Sequence, residues 1–210
     1  MNIHSVAAPP AAVDKVDKRA AILDAATAVF AKRGFFGSQV ADVARAAGIA
    51  AGTVYLYFRS KDEILTSIFD RMMHDAMGAG QAALADVTDP VERLRRIAHM
   101  HLARLGRDRS LAIVFQVELR QTTKFMERFS KGGLADYLLV IQKTIESGQA
   151  RGVFRKDMDA RMASKVFFGA LDEMATNWIL SRRRYSLEAQ ADPVVDILVG
   201  GLATAKGGAR

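Results

Sequence analysis

From about residue 16 onward, apolar residues recur at spacings of three and four. Ile22, Leu23, Ala26, Val29 and Phe30 fall on one helical face, and Gly34 stands where a left-handed residue closes a helix. After Ser38, a natural N-cap, Val40, Val43, Ala44 and Ala47 draw a second and shorter stripe that ends at Gly48. A third helix is expected over about 51–58. Ser60 followed three residues later by Glu63 reads as a capping box, and beyond it Ile64, Leu65, Ile68, Phe69, Met72, Met73 and Met77 mark a long, one-sided fourth helix. Asp89-Pro90 is a cap with proline at the first helical position. Helical patterns follow at about 90–105, 108–121, 124–150, 158–182 and 187–205, with breaks near Gly106, 148–152 and 183–186. No stretch alternates with the strand period. The pattern predicts an all-α protein of about nine helices, three in a small N-terminal unit (16–76) and six in a larger one (77–210). The alanine-rich start with Pro9 and Pro10 reads as a flexible arm over 1–15.

One segment resists a purely structural explanation. In "AGIAAGTVYLYFRSKDEIL", Ala47 to Leu65, the third helix carries Gly52 beside the β-branched Thr53 and Val54, all mediocre helix formers. At 100° per residue Val54 and Phe58 share one side, while Gly52 and Leu56 lie opposite, flanked by Thr53, Tyr55 and Tyr57. One face suits a core and the other is offered outward. Two short helices joined by a glycine-containing turn form the geometry that lays its second helix in the DNA major groove. Gly52 lets backbone approach a duplex, Thr53 and the tyrosine hydroxyls suit phosphate oxygens, and Leu56 suits a thymine methyl. Lys61 and the first turn of the fourth helix add an expected phosphate clamp.

Composition sharpens this picture. The 210 residues carry a formal net charge of +7, which favours an anionic partner. The absence of cysteine removes disulfides, thiolate catalysis and cysteine-ligated zinc, and fits a cytoplasmic location. Histidine occurs only at His4, His74, His99 and His101, and the last two, two apart on a helix, cannot form a metal-binding i,i+4 pair. Glycine-rich nucleotide loops and nucleophile elbows are absent, so neither an enzyme, a metal site nor a bound cofactor is expected. No uncharged apolar run approaches the roughly 20 residues of a bilayer span.

Residues 16–76 resemble the DNA-binding domain of the TetR family: a two-helix unit, then Gly-Thr-hydrophobic-Tyr, an aromatic-Phe pair and a lysine. The resemblance implies a recognition unit at about 39–58, with Ser38, Gln39, Thr53, Tyr55, Tyr57 and Lys61 as DNA contacts beside Gly52 and Leu56. The sequence departs from the pattern at Ala51, where many members carry lysine or another polar residue. The family also implies a homodimer on a pseudo-palindromic operator, with repression as the usual outcome.

Helices eight and nine are apolar on more than one side, which a central core position and a subunit interface explain equally well. The resemblance favours pairing through these last two helices, with Phe167, Leu171, Ile179, Val195, Leu198 and Leu202 at the seam. The stretches "LAIVFQVELRQ" (111–121) and "FFGALDEMATNWIL" (167–180) are similar to the FadR branch, acyl-CoA-responsive regulators of fatty-acid degradation. That similarity implies a hydrophobic effector such as a long-chain acyl-CoA. The alternative is another hydrophobic ligand controlling efflux or a different pathway. Candidate pocket residues are Met100, Phe115, Leu119, Phe168, Met174 and Trp178, with Arg104, Arg109 and Arg120 as charges for phosphates. Of Asp172 and Glu173, set in an apolar helix, at least one is expected to pair with an arginine or to cap a polar network near the pocket or dimer seam; a surface-facing Asp172 with an i,i+4 neighbour is the alternative.

Overall fold

The computed structural model describes residues 12–202, and the expected arm, apart from its last residues, lies outside them. Among the described residues there are ten α-helices and no strand. They form two compact units that divide inside the fourth helix, one ending at Ser67 and the other beginning at Ile68, earlier than the expected boundary at 76.

The first unit contains α1 (Ala12–Arg33), α2 (Val40–Ala46), α3 (Ala51–Tyr55) and the start of α4 (Lys61–Leu84). Its core takes most of the set that the spacing selects, Ile22, Leu23, Ala26 and Phe30 from α1, Val43 and Ala44 from α2, then Val54, Phe58, Ile64 and Leu65, while Val29, Val40 and Ala47 of the expected stripes are only half-buried. α1 begins at Ala12, before the expected residue 16, and stops where Gly34 adopts φ 76° and donates to the Phe30 carbonyl at 2.9 Å. Gly48, at φ 68°, closes α2 in the same way, while Ile49 donates to the Ala44 carbonyl at 3.0 Å. The two helices therefore end on geometry that a side chain would strain.

In the second unit come α5 (Pro90–Arg107), α6 (Arg109–Gln116), a 3-10 turn at Glu118–Gln121, α7 (Thr123–Lys131), α8 (Gly133–Ala150), α9 (Ala160–Leu180), a short turn at Glu188–Gln190 and α10 (Ala191–Leu202). Asp89, Asp108, Thr122 and Asp159 cap α5, α6, α7 and α9, each side chain accepting a backbone N–H in the first turn. α8 packs along α9, α6 against α9, and α10 against α5. Arg95 fastens that last pair through Asp192 at 2.6 Å and Asp196 at 2.8 Å. Phe69, Phe115 and Phe129 join α4, α6 and α7 at ring separations of 5.1–6.1 Å.

The tenth helix arises because the single helix expected over 124–150 is two, broken at Gly132-Gly133. A Cβ on Gly133 would lie 2.5 Å from the Met73 Cβ, so α4 and α8 meet at a distance only glycine permits. The close approach is tertiary, but the break itself falls on a Gly-Gly pair, a local signal of low helix propensity.

Candidate functional site

α2 and α3 build the candidate nucleic-acid surface. Asp42 organises it: its carboxylate accepts the Gln39 backbone N–H at 3.0 Å and meets Arg33 at 2.7 Å and Arg45 at 3.2 Å. The Gln39 backbone bond, reinforced by Arg33 and Arg45 against desolvation, holds this carboxyl below the usual carboxylate range. Gln39, exposed, is the N-cap of α2. Val54 and Phe58 are sealed into the core, whereas Leu56 is 82 % and Tyr55 55 % exposed. Gly52 is exposed, and a Cβ there would meet nothing within 4 Å. Thr53 and Tyr57 are half-buried at the edges. α3 closes earlier than expected, as Leu56 and Tyr57 turn back onto the carbonyls of Thr53 and Val54.

Two expected contacts are corrected. Ser38 is neither N-cap nor outward: it is 2 % exposed, and its hydroxyl donates to the Gly34 carbonyl at 2.6 Å. Lys61 is turned inward rather than toward a partner. Its ammonium donates to the carbonyls of Phe35 and Ser38, both at 2.7 Å, and lies 4.4 Å over the Phe35 ring. It braces the connection between α1 and α2.

The second unit holds a cavity of about 910 Å³ lined by α4, α5, α6, α8 and α9. Its walls are mostly apolar, with Met72, Met73, Met77, Ile97, Met100, Phe115, Val140 and Phe168, and Arg104, Arg107, His99 and Glu188 add charged or polar edges. A smaller hollow of about 470 Å³ shares Met73, His74, Met77 and Val140 with it. Of the expected pocket residues, Met100, Arg104, Phe115 and Phe168 line the cavity. The other five lie elsewhere, and the arginines are engaged. Arg109 donates to the carbonyls of Trp178 and Ile179, ending α9, and stacks 5.1 Å from the Trp178 ring. Arg120 pairs with Asp172. Leu119 is buried core, Met174 is half-buried outside the cavity wall, and the Trp178 indole donates to the Tyr185 carbonyl at 3.0 Å.

Asp172 is the buried carboxylate of its pair. It accepts from Arg120 and from the Gln116 amide at 2.8 Å, and Thr176 donates to the Gln116 oxygen at 3.1 Å. Glu173 is exposed and merely accepts from Asn177. Sequence reasoning missed His101 and Tyr137, whose ring nitrogen and hydroxyl are 3.2 Å apart in the cavity wall. Burial pushes His101 down to about 4, against a smaller opposing pull from Asp172, and pushes the Tyr137 hydroxyl up. The signal for the cavity itself was present on α4, where the small residues Ala76, Gly78, Ala79 and Gly80 line it beside Met72, Met73 and Met77.

The expected interface residues also need correction. Phe167, Leu171, Ile179, Val195 and Leu202 are all less than a tenth exposed within one chain, so they pack its own core, and Leu198 is half-buried. The apolar residues that α9 and α10 leave open are Met162, Val166, Leu180 and Ile197, each more than half exposed. Among the described residues no helix is long and apolar enough to cross a membrane, and no cluster of three His, Cys, Asp or Glu suits a metal ion.

Comparison with known proteins gives this arrangement its context. Residues 22–68 match the model described as bacterial regulatory proteins, tetR family, and residues 69–201 match that of the YsiA-like protein C-terminal region. The fatty acid metabolism regulator protein of Bacillus subtilis strain 168 is 34 % identical over 181 residues, covering 86 % of this chain and 93 % of that protein. The structure of the fatty acid degradation regulator FadR from Bacillus halodurans is 37 % identical with a TM-score of 0.83, over 88 % of this chain and 96 % of that one. A crystal structure of FadR from Bacillus subtilis in complex with stearoyl-CoA gives 33 % identity and the same TM-score, 0.83, over 87 % and 98 %. Matched along both units, and by relatives that are themselves regulators over nearly their full length, the chain belongs to the TetR family of DNA-binding transcriptional regulators.

Proposed function

We propose that this protein is a cytoplasmic, homodimeric repressor of fatty-acid metabolism genes that leaves its operator when a long-chain acyl-CoA enters the second unit. The observation that carries the effector reading is the cavity of about 910 Å³, at the upper end of the roughly 300–1,000 Å³ typical of small-molecule sites and walled by methionine and phenylalanine. Methionine side chains adapt to a flexible chain, and Arg104 and Arg107 at the polar edge suit phosphate. The stearoyl-CoA bound by the Bacillus subtilis relative supports the same ligand class.

On the DNA side, Gln39, Thr53, Tyr55, Leu56 and Tyr57 read or grip the duplex, and Gly52 admits close backbone approach. No neighbour among the described residues demands a glycine at position 52, which supports an external reason for it. Dimerisation uses the outward faces of α9 and α10 around Val166 and Ile197. α4 runs unbroken from Lys61 to Leu84 and carries the cavity residues Met72, Met73 and Met77, so ligand entry has a direct mechanical route to its N-terminal turn. Such a switch requires different ligand affinities in the DNA-competent and incompetent states. The test is selection of an operator from random duplex DNA, followed by titration of that complex with acyl-CoAs. Release of the duplex by stearoyl-CoA at micromolar concentration is expected, and unchanged affinity at saturating ligand refutes the effector.

A further inference from the structure

His101 of α5 and Tyr137 of α8 meet in the cavity wall, with Nδ1 3.2 Å from the hydroxyl oxygen. Phe168 of α9 closes edge-on over both, 5.8 Å from the imidazole and 6.1 Å from the phenol ring. A neutral imidazole has one N–H and a phenol one O–H, so the pair owns two donor hydrogens. Their mutual hydrogen bond consumes one. If Tyr137 donates to Nδ1, the Nε2–H is left over; if Nδ1 donates to Tyr137, the phenol hydrogen is left over. The surplus of one donor is therefore independent of tautomer. Among the described residues His101 Nε2, shielded from solvent, has no partner, and the hydroxyl makes no other hydrogen bond. Arg104, one turn further along α5, adds a second shielded and unpartnered donor at Nε, although its terminal nitrogen holds Asp75 at 2.9 Å.

Donors stranded in an apolar wall are costly, and two of them here, one owned by the His101–Tyr137 pair and one at Arg104 Nε, imply that something else completes them. We infer that the cavity selects ligands carrying an acceptor oxygen, a carbonyl at the head of an apolar chain, and that His101 and Tyr137 form the specificity-determining pair that receives it. This deepens the acyl-CoA reading and rests on it: the thioester carbonyl is the group recognised, and a plain hydrocarbon leaves the surplus hydrogen unmet. Discrimination by a missing hydrogen-bonding atom is far steeper than discrimination by a missing methylene.

The deciding experiment is calorimetric titration of the full chain with stearoyl-CoA and with S-octadecyl-CoA, a thioether with the same chain and nucleotide but no carbonyl. The wild-type protein should bind the thioester at least about tenfold more tightly. His101→Leu and Tyr137→Phe each leave one donor hydrogen and should keep most of that preference, whereas the double variant should bring the two ligands within about threefold. Equal binding of both by the wild-type protein, as when a buried water already satisfies the pair, overturns this inference and leaves the acyl-CoA reading intact. Binding of neither overturns both. Should the double variant fail to fold, the wild-type ratio still decides.

Discussion

Replacing Lys61 by methionine separates two roles for one ammonium group. Methionine keeps much of the stem's apolar contact and removes the charge. In the structure two of the three ammonium hydrogens are spent on the Phe35 and Ser38 carbonyls at 2.7 Å, and the group lies over the Phe35 ring. Each charge-assisted bond, discounted because Lys61 is half-buried, contributes about 1 kcal/mol and the ring contact about 0.5, so the loss is about 2–3 kcal/mol. For a chain of this length that lowers the melting temperature by about 5–10 °C. Thermal denaturation followed by circular dichroism measures this loss. Operator binding by fluorescence anisotropy across a range of salt supplies the second measurement, because each lost phosphate contact reduces the log–log salt slope by about 1. The expected result is a less stable protein with weaker binding but an unchanged slope. An undiminished melting temperature together with a slope reduced by about 1 would show that Lys61 holds phosphate, and the internal brace would be wrong.

Four further outcomes follow from other parts of the molecule. Saturated acyl-CoAs should bind about fourfold more tightly per added methylene, at about 0.8 kcal/mol each, until the cavity is filled; calorimetry showing no dependence on chain length excludes the apolar wall as the tail site. Gly148→Ala places a Cβ 2.1 Å from Phe154 Cδ2 and should cost about 2–3 kcal/mol in urea denaturation, and a neutral result would mean that the Phe154 ring moves freely. Ile197→Glu, on an exposed position of α10, should leave folding intact and shift sedimentation from dimer to monomer, while an unaltered dimer places the interface elsewhere. Because His101 is held neutral down to about 4, below the ordinary 6.5, the unfolded chain binds more protons between these values. Stability should therefore fall as the pH drops from about 6.5 to about 4, and His101→Leu should flatten that slope in denaturation curves.

Most of the fold was legible because its signals are local. Of the stripe Ile22, Leu23, Ala26, Val29 and Phe30 all but the half-buried Val29 are core, and Gly34 and Gly48 take the left-handed conformation that their positions suggest. Val54 inward and Leu56 outward follow from helical phase, and Phe58, past the end of α3, still turns inward as its backbone N–H donates to the Val54 carbonyl at 3.0 Å. What escaped depends partly on partners distant in sequence. Position 133 must be glycine because Met73 of α4 lies against it, whereas Ser38 escapes on a local bond, its hydroxyl reaching back four residues to the Gly34 carbonyl while Gln39 takes the cap. Lys61 spends its charge on carbonyls 23 and 26 residues away, a choice that no spacing rule encodes.

The second unit fails to disclose itself for a related reason. A helix that is apolar all round states that several sides are covered, but not which side meets its own chain and which meets a partner. Selecting Phe167, Leu171 and Ile179 on α9 selects the core, since strongly apolar positions at helical spacing are the ones a single chain buries first. The surface left open is written instead in Met162 and Val166, spaced four apart. The same logic explains the cavity. Large apolar side chains fill space, so a ligand site requires small residues opposite them, and α4 supplies these at Ala76, Gly78, Ala79 and Gly80. Gly78 and Gly80 each cost helix stability of about 1 kcal/mol relative to alanine. Nothing in the fold lies within 4 Å of a Cβ at Gly78, and only the Met100 methyl, at 3.8 Å, approaches one at Gly80. Helical propensity would favour alanine at both positions, and both glycines line the cavity, so leaving out their side chains keeps its volume open.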